Sequence, residues 1–304
     1  MAIALNTLLM IVVALTITGV INRMRALLSG RKGIPFVQHL RDVGVLLRKG
    51  SVYSTTTTAL FRIAPAVYLA VSVVALLFIP VADLYPLISF EGDVICFAYT
   101  LALARLAIIL AAMDTGSSFE GMGAAREALY GALIEPALMM GFATLAMFCG
   151  YTSFAEIFEV EQSFNLHHTI VMMLAAYLFV QVAFIEAGRV PVDDPRTHLE
   201  LTMIHEVMCL DYSGIDLAMI KIAGWLKTAC FAMVAANAIA ATCCFHWWFA
   251  TPVAILLTGV AIGVVESSQA RNKLIRNTTF VVTVLAMATL IFFIGYLLQL
   301  NINI

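Results

Sequence analysis

Charge is scarce in this sequence. Asp, Glu, Lys and Arg make up 12% of 304 residues, about half of what a soluble domain carries. With 62% hydrophobic residues and a mean hydropathy of +0.98, that scarcity excludes an ordinary soluble fold. Other absences narrow the class further. No C-x-x-C pair occurs, and the six cysteines (Cys96, Cys149, Cys209, Cys230, Cys243, Cys244) lie mostly in apolar runs, which argues against disulfides and a resident iron-sulfur cluster. No G-x-x-x-x-G-K-[ST] run follows the glycines near 121, which argues against a phosphate cradle there. Internal repeats, low-complexity segments and long linkers are also missing, which predicts one helical domain over 1–304.

What is present is apolar length. Crossing a bilayer as a helix takes about 20 mostly apolar residues, because lipid offers an open backbone no hydrogen-bond partner. Eight such runs cover 2–21, 63–82, 94–113, 128–149, 168–187, 217–243, 248–265 and 278–298. The first has no basic residue before it and no small-residue cleavage site after it, so it reads as a span. The expected fold is an all-α integral membrane protein.

Lys and Arg concentrate in the loops 22–62, 114–127, 188–216 and 266–277, whereas the alternate loops 83–93 and 151–167 carry acids and neither basic residue. Since basic residues stay on the cytoplasmic side, both termini are expected outside. With the basic residues from Arg189 to Lys227 all counted toward the fifth loop, Arg105 is the single basic residue assigned to a span. The charge asymmetry reflects topology, with no nucleic-acid partner implied. In the first cytoplasmic loop, "PFVQHLRDVGVLLRKG" sets Phe36, Leu40, Val43 and Leu47 at helical spacing from Pro35, with Arg41 off the stripe. This predicts an amphipathic interfacial helix, as an anchor or as a docking platform.

Glu135 lies nine residues beyond Arg126, about 13 Å at helical rise, inside the hydrocarbon zone. A carboxylate there needs a partner or a wet cavity, and Arg105, at similar depth on the preceding span, is the candidate. The stretch 186–214 gathers Glu186, Arg189, Asp193, Asp194, Arg196, His198, Glu200, His205, Glu206 and Asp211. Glu186 and Arg189 stand at i and i+3 and are expected to pair. Pro191 and Pro195 break the helix after them. His198 and His205 are seven residues apart, unlike the three or four of paired metal ligands, so a proton-passing or hydrogen-bonded role is the better expectation. Glu266, before Arg271, reads equally as a further member of this acidic set or as a cap.

The order "EAGRVPVDD", "HLEL", "DYSG" resembles the membrane subunit that complex I shares with membrane-bound hydrogenases, the complex I subunit 1 family. "MRALLSGRKGIPFVQHLRD" looks like its first cytoplasmic loop, "FRIAPAVYLA" like the start of its second span, "MDTGSSFEGMGAAREALYGALIEP" like its third loop and fourth span, and "VESSQAR" like its seventh loop. "MDTGSSF" and "AREALYGALIEP" resemble most the formate hydrogenlyase and hydrogenase-4 branch.

The resemblance implies a multi-pass subunit of a prokaryotic inner membrane that anchors a cytoplasmic redox arm to antiporter-like membrane subunits. Implied partners are hydrogenase-like large and small subunits and an iron-sulfur subunit, holding iron-sulfur clusters and in some cases nickel-iron, with no cofactor in this chain. It also implies proton or sodium coupling through Glu135, Glu186, Asp193, Glu200, Asp211, Arg105, Arg189 and His198, and partner docking through Arg41, Asp114, Arg126, Glu127 and Tyr212. The chain departs from the family pattern at Val192, where Phe is usual, and at Arg196 and His198, which replace acids. Two alternatives remain open, a quinone-binding subunit of a complex-I-like dehydrogenase and a stand-alone secondary transporter. The topology is checked by reporter fusions behind Ile304: alkaline phosphatase there is expected to be active and a fluorescent protein dark, and the opposite result would invert the orientation.

Overall fold

The structure, a computed structural model, describes residues 2–81, 84–158, 166–190, 192–193, 203–242, 247–269 and 274–300. His198, Glu200, Asp194, Arg196, His246 and Arg271 lie outside the described residues, as do Cys243 and Cys244. The described chain is helical: α1 (Ala2–Leu28), α2 (Gln38–Leu46), α3 (Ala59–Leu77), α4 (Asp93–Asp114), α5 (Ser118–Cys149), α6 (Phe154–Ile157), α7 (Leu166–Glu186), α8 (Gly214–Ala240), α9 (Trp247–Ser268) and α10 (Leu274–Gln299). Eight of these helices are long and apolar enough to cross a membrane; α2 and α6 are short.

Apolar length located the spans but not all their ends. α5 begins at Ser118, ten residues before the expected 128, so most of the expected loop 114–127 is helix. The turn is made by Thr115 to Ser117, with Gly116 at positive φ, rather than at Gly121 and Gly123. Gly123 instead lies in α5 against Val207, Met208 and the Ile204 carbonyl, where a side chain would collide. α2 begins at Gln38, three residues after Pro35, and packs against α1 and α8. Val43 is buried, the His39 ring meets Trp225 edge-on at 4.8 Å, and His39 Nε2 donates to the Leu15 carbonyl at 2.8 Å.

α8 is the central helix, in contact with α1, α3, α7 and α9. Every residue from Leu226 to Ala238 is buried, as expected of a helix enclosed by others, and its many alanines let those neighbours approach closely. At the end away from the basic loops, two buried asparagines hold the turn after α3. Asn6 donates to the Ile79 carbonyl and accepts from Val81 N, and Asn237 donates to the Pro80 carbonyl. Asp93, fully buried, accepts from Phe154 N and Ser153 Oγ and so fixes α6 to α4.

At the basic end, the segment after α2 is fastened to the start of α8. Ser51 Oγ donates to the Ser213 carbonyl, Val52 N donates to Ser213 Oγ, and Tyr53 OH donates to Asp216 at 2.7 Å. That last bond, to a carboxylate, raises the pKa of Tyr53. Tyr212 stacks on Phe61 at 4.0 Å and donates to its carbonyl, while Asp114 accepts from both N and Oγ1 of Thr58. Burial pushes the Tyr212 hydroxyl pKa up and the Cys209 thiol to about 12. Gly214 is the tightest point of this junction. It has φ +54°, and a Cβ there would sit 2.5 Å from the Gly50 carbonyl and 2.6 Å from that of Lys49. Gly214→Ala is therefore expected to cost about 2 kcal/mol or more, read as a lowered unfolding temperature in detergent, because backbone rather than a side chain must yield.

Candidate functional site

The charged residues that the sequence scatters over four spans and a loop meet inside the bundle. Arg105 lies nine residues before the end of α4, about 13 Å in. Its side chain is 6% exposed and meets three carboxyls: Glu127 at 3.3 Å and Glu135 at 2.5 Å, both from α5, and Glu186 from the last turn of α7 in direct contact. The expected Arg105 to Glu135 pair thus exists within a larger set. Glu186 also faces Lys227 of α8, 2.8 Å from Nζ and likewise buried.

Lys227 is missed by the sequence reading, which left Arg105 as the only basic residue in a span. The signal was present: a Lys thirteen residues into a 27-residue, mostly apolar helix. Glu186 and Arg189 do not pair. α7 stops at Glu186, Gly188 takes a positive φ, and Arg189 N turns back to the Phe184 carbonyl, so the i, i+3 register is lost. Arg189 instead reaches Glu266 at the end of α9, 3.0 Å away, and Arg25 of α1 stands 3.6 Å from the same carboxylate.

Toward the basic end the cluster continues into the loop before α8. His205 Nε2 is 3.3 Å from Glu127, and its Nδ1 is 3.9 Å from Asp193. Asp193 is itself buried and accepts from the backbone N–H groups of Ile204 and His205. Arg126 donates to the Met203 carbonyl. Asp211 is exposed, and its N–H donates to the buried Glu120. Of the residues expected at a docking surface, Arg41 is exposed on α2, whereas Glu127 and Tyr212 are buried and Asp114 caps the approach to α3.

The electrostatics of this cluster follow from its composition. An isolated buried ion costs several kcal/mol even after relaxation, so each charge requires an opposite one. Arg105 and Lys227 provide two cations against Glu127, Glu135 and Glu186. Arg105, which faces all three carboxyls, is shared among them, and Lys227 faces Glu186 alone. One member opens outward: the Glu135 side chain is 45% exposed while its partners are enclosed. No group of three His, Cys, Asp or Glu side chains suited to a metal ion occurs among the described residues.

Residues 1–297 match the family model described as NADH dehydrogenase. The chain belongs to that family, complex I subunit 1. It is 30% identical to hydrogenase-4 component C of Escherichia coli (strain K12) over 275 residues, 86% of each chain. Over 217 residues it is 31% identical to formate hydrogenlyase subunit 4 of the same organism, covering 71% of this chain and 70% of that one. Its fold matches a chain of the membrane-bound sulfane sulfur reductase (MBS), an archaeal respiratory membrane complex, with a TM-score of 0.73 over 96% of this chain and 100% of that one. The 20% identity of that last pair makes it a likeness of fold alone. The family resemblance carried by "EAGRVPVDD" and "DYSG" is thus confirmed, and in this complex I subunit 1 chain His205, between those motifs, reaches Glu127 of the cluster.

The guanidinium's seat depends on one small residue. A Cβ on Gly131 would lie 2.5 Å from Arg105 Nη1 and 2.9 Å from its Cδ. Arg105→Gln strands buried carboxylates and is expected to cost about 3–5 kcal/mol. Gly131→Ala only pushes the guanidinium aside, which costs about 1–3 kcal/mol. Thermal unfolding of the two variants in detergent checks the ranking, and equal small losses would mean that the ion pairs do not hold the helices.

Proposed function

We propose that this chain is the membrane-anchoring and ion-coupling subunit of a complex-I-like, hydrogenase-type oxidoreductase of a prokaryotic inner membrane. Its end with the basic loops faces the cytoplasm, where the first loop, Arg41, Asp114, Arg126 and the loop before α8 receive a redox arm. That arm consists of hydrogenase-like large and small subunits and an iron-sulfur subunit, which hold the redox centres. The observation that carries the reading is the Arg105 cluster, three carboxyls around one guanidinium at bilayer depth.

A change in the redox arm displaces the loop holding Asp193 and His205, and with it the Glu127 contact. Removal of the imidazole changes the surroundings of the Glu127 carboxyl, and a proton redistributes among Glu127, Glu186 and Glu135. Arg105 itself stays charged and acts as the fixed centre about which the carboxyls exchange that proton. Glu135, the half-exposed member, passes it to an antiporter-like membrane subunit alongside α4 and α5. The ion is taken to be a proton, because the carboxyls around Arg105 face nitrogen cations. Hydrogenase-4 component C and formate hydrogenlyase subunit 4 support this assignment by similarity along most of the chain.

Glu135→Gln and Glu186→Gln, introduced into the complete complex in liposomes, are expected to abolish proton movement while electron transfer and subunit composition persist. Proton uptake measured per electron decides the matter, and full pumping in both variants would overturn the coupling role.

A further inference from the structure

Lys227 has no part in the exchange just described, and its surroundings give it one. It stands thirteen residues into α8, about 20 Å from the start of that helix, in the stretch where every α8 residue is buried. Its Nζ lies 2.8 Å from Glu186 Oε2, with both side chains under 5% exposed. The titratable and charged groups facing it are Glu186 of α7, Arg105 of α4, Glu127 of α5, Tyr68 of α3 and Cys230 on its own helix. The Tyr68 ring lies 5.9 Å from Nζ.

Glu186 is therefore held between two cations of different chemistry. Arg105 contacts one carboxylate oxygen and Lys227 the other. A guanidinium remains protonated under all conditions a protein survives, whereas a buried ammonium releases its proton readily. A second guanidinium would neutralise Glu186 equally well and make the planar bidentate contact that suits a carboxylate. An amine supplies what a guanidinium cannot, a proton that can leave.

We propose, on the basis of the coupling role above, that Lys227 is a proton store loaded and emptied through Glu186. In the forward step an Nζ–H bond breaks and an O–H bond forms at Glu186 Oε2. The N–H electron pair stays on nitrogen, and an ammonium-carboxylate pair becomes an amine and a carboxylic acid. The pair is neutral before and after, so the step leaves the buried charge unchanged where a change would be costly. Glu186 then gives its proton to the carboxyls around Arg105, and the next proton entering the cluster returns to the amine by the same route. The store lets one proton leave by Glu135 before the following one arrives from the loop.

The test uses the complete complex in liposomes and compares Lys227→Arg, Lys227→His and Glu186→Gln, measuring redox turnover and protons moved per electron against pH. Lys227→Arg preserves the fixed charge and is expected to keep redox turnover while slowing proton movement roughly a hundredfold. Wild-type pumping in that variant would show that charge alone is needed and would overturn the store. Lys227→His keeps a titratable nitrogen of lower affinity and is expected to pump with the alkaline limb of its pH profile moved toward acid. An unchanged profile overturns the proposal, and this readout decides it even if the arginine variant fails to assemble. Loss of pumping in Glu186→Gln with normal pumping in Lys227→Arg would remove the store and leave the coupling role; normal pumping in Glu186→Gln would remove the store, and the coupling role would fall only if Glu135→Gln pumped normally as well.

Discussion

A guanidinium cannot be left alone in a bilayer, and the arrangement of the bundle's interior follows from that constraint. Arg105 cannot shed its charge, so carboxylates must come to it from wherever the chain can provide them. Two arrive from α5, about two turns apart, and one from the end of α7, and the last brings Lys227 of α8 with it. Four helices are thereby fixed in rotation about one point. Apolar packing alone discriminates weakly between rotations inside lipid, where tails are as apolar as the side chains. A buried ion set discriminates strongly, because a small rotation leaves a charge unpaired.

The same set is mechanically connected to the surface where the basic loops emerge. His205 contacts Glu127 on one side and Asp193 on the other, and Asp193 is pinned by the backbone of the segment that carries His205. Immediately afterwards the chain is clamped: Asp211 to Glu120, Tyr212 to Phe61, Ser213 to Ser51 and Val52. The nearby Arg25, Arg189 and Glu266 set ties α1, α9 and the end of α7 together in a similar way, by one acid shared between two arginines.

Much of this was legible in the sequence because lipid makes harsh demands on composition. Eight helices, their order, and the pairing of Arg105 with Glu135 all follow from where polar residues interrupt apolar runs. What was misread was local. The glycines at 121 and 123 suggested a turn, yet Gly123 serves a close helix contact with Val207 and Met208. Glu186 and Arg189 had helical spacing, but the helix ended between them. Lys227 follows the basic loop closely in sequence, yet it lies in the middle of α8.

The sequence by itself determined the solvent, the number of spans, the segregation of basic residues to alternate loops and the family, since each depends on composition or motif along the chain. It also determined that buried acids would need cations. Only the tertiary structure decided which cation each acid would meet. Glu186 chose between Arg189, three residues away, and Arg105 and Lys227, on other helices, and took the distant pair. Glu127 left the surface for the interior, and Glu135 alone among the carboxyls around Arg105 kept an exposed side. The physical reason is that an ion pair depends on a few ångströms of separation, and those distances are set by how helices far apart in the chain pack and rotate against one another.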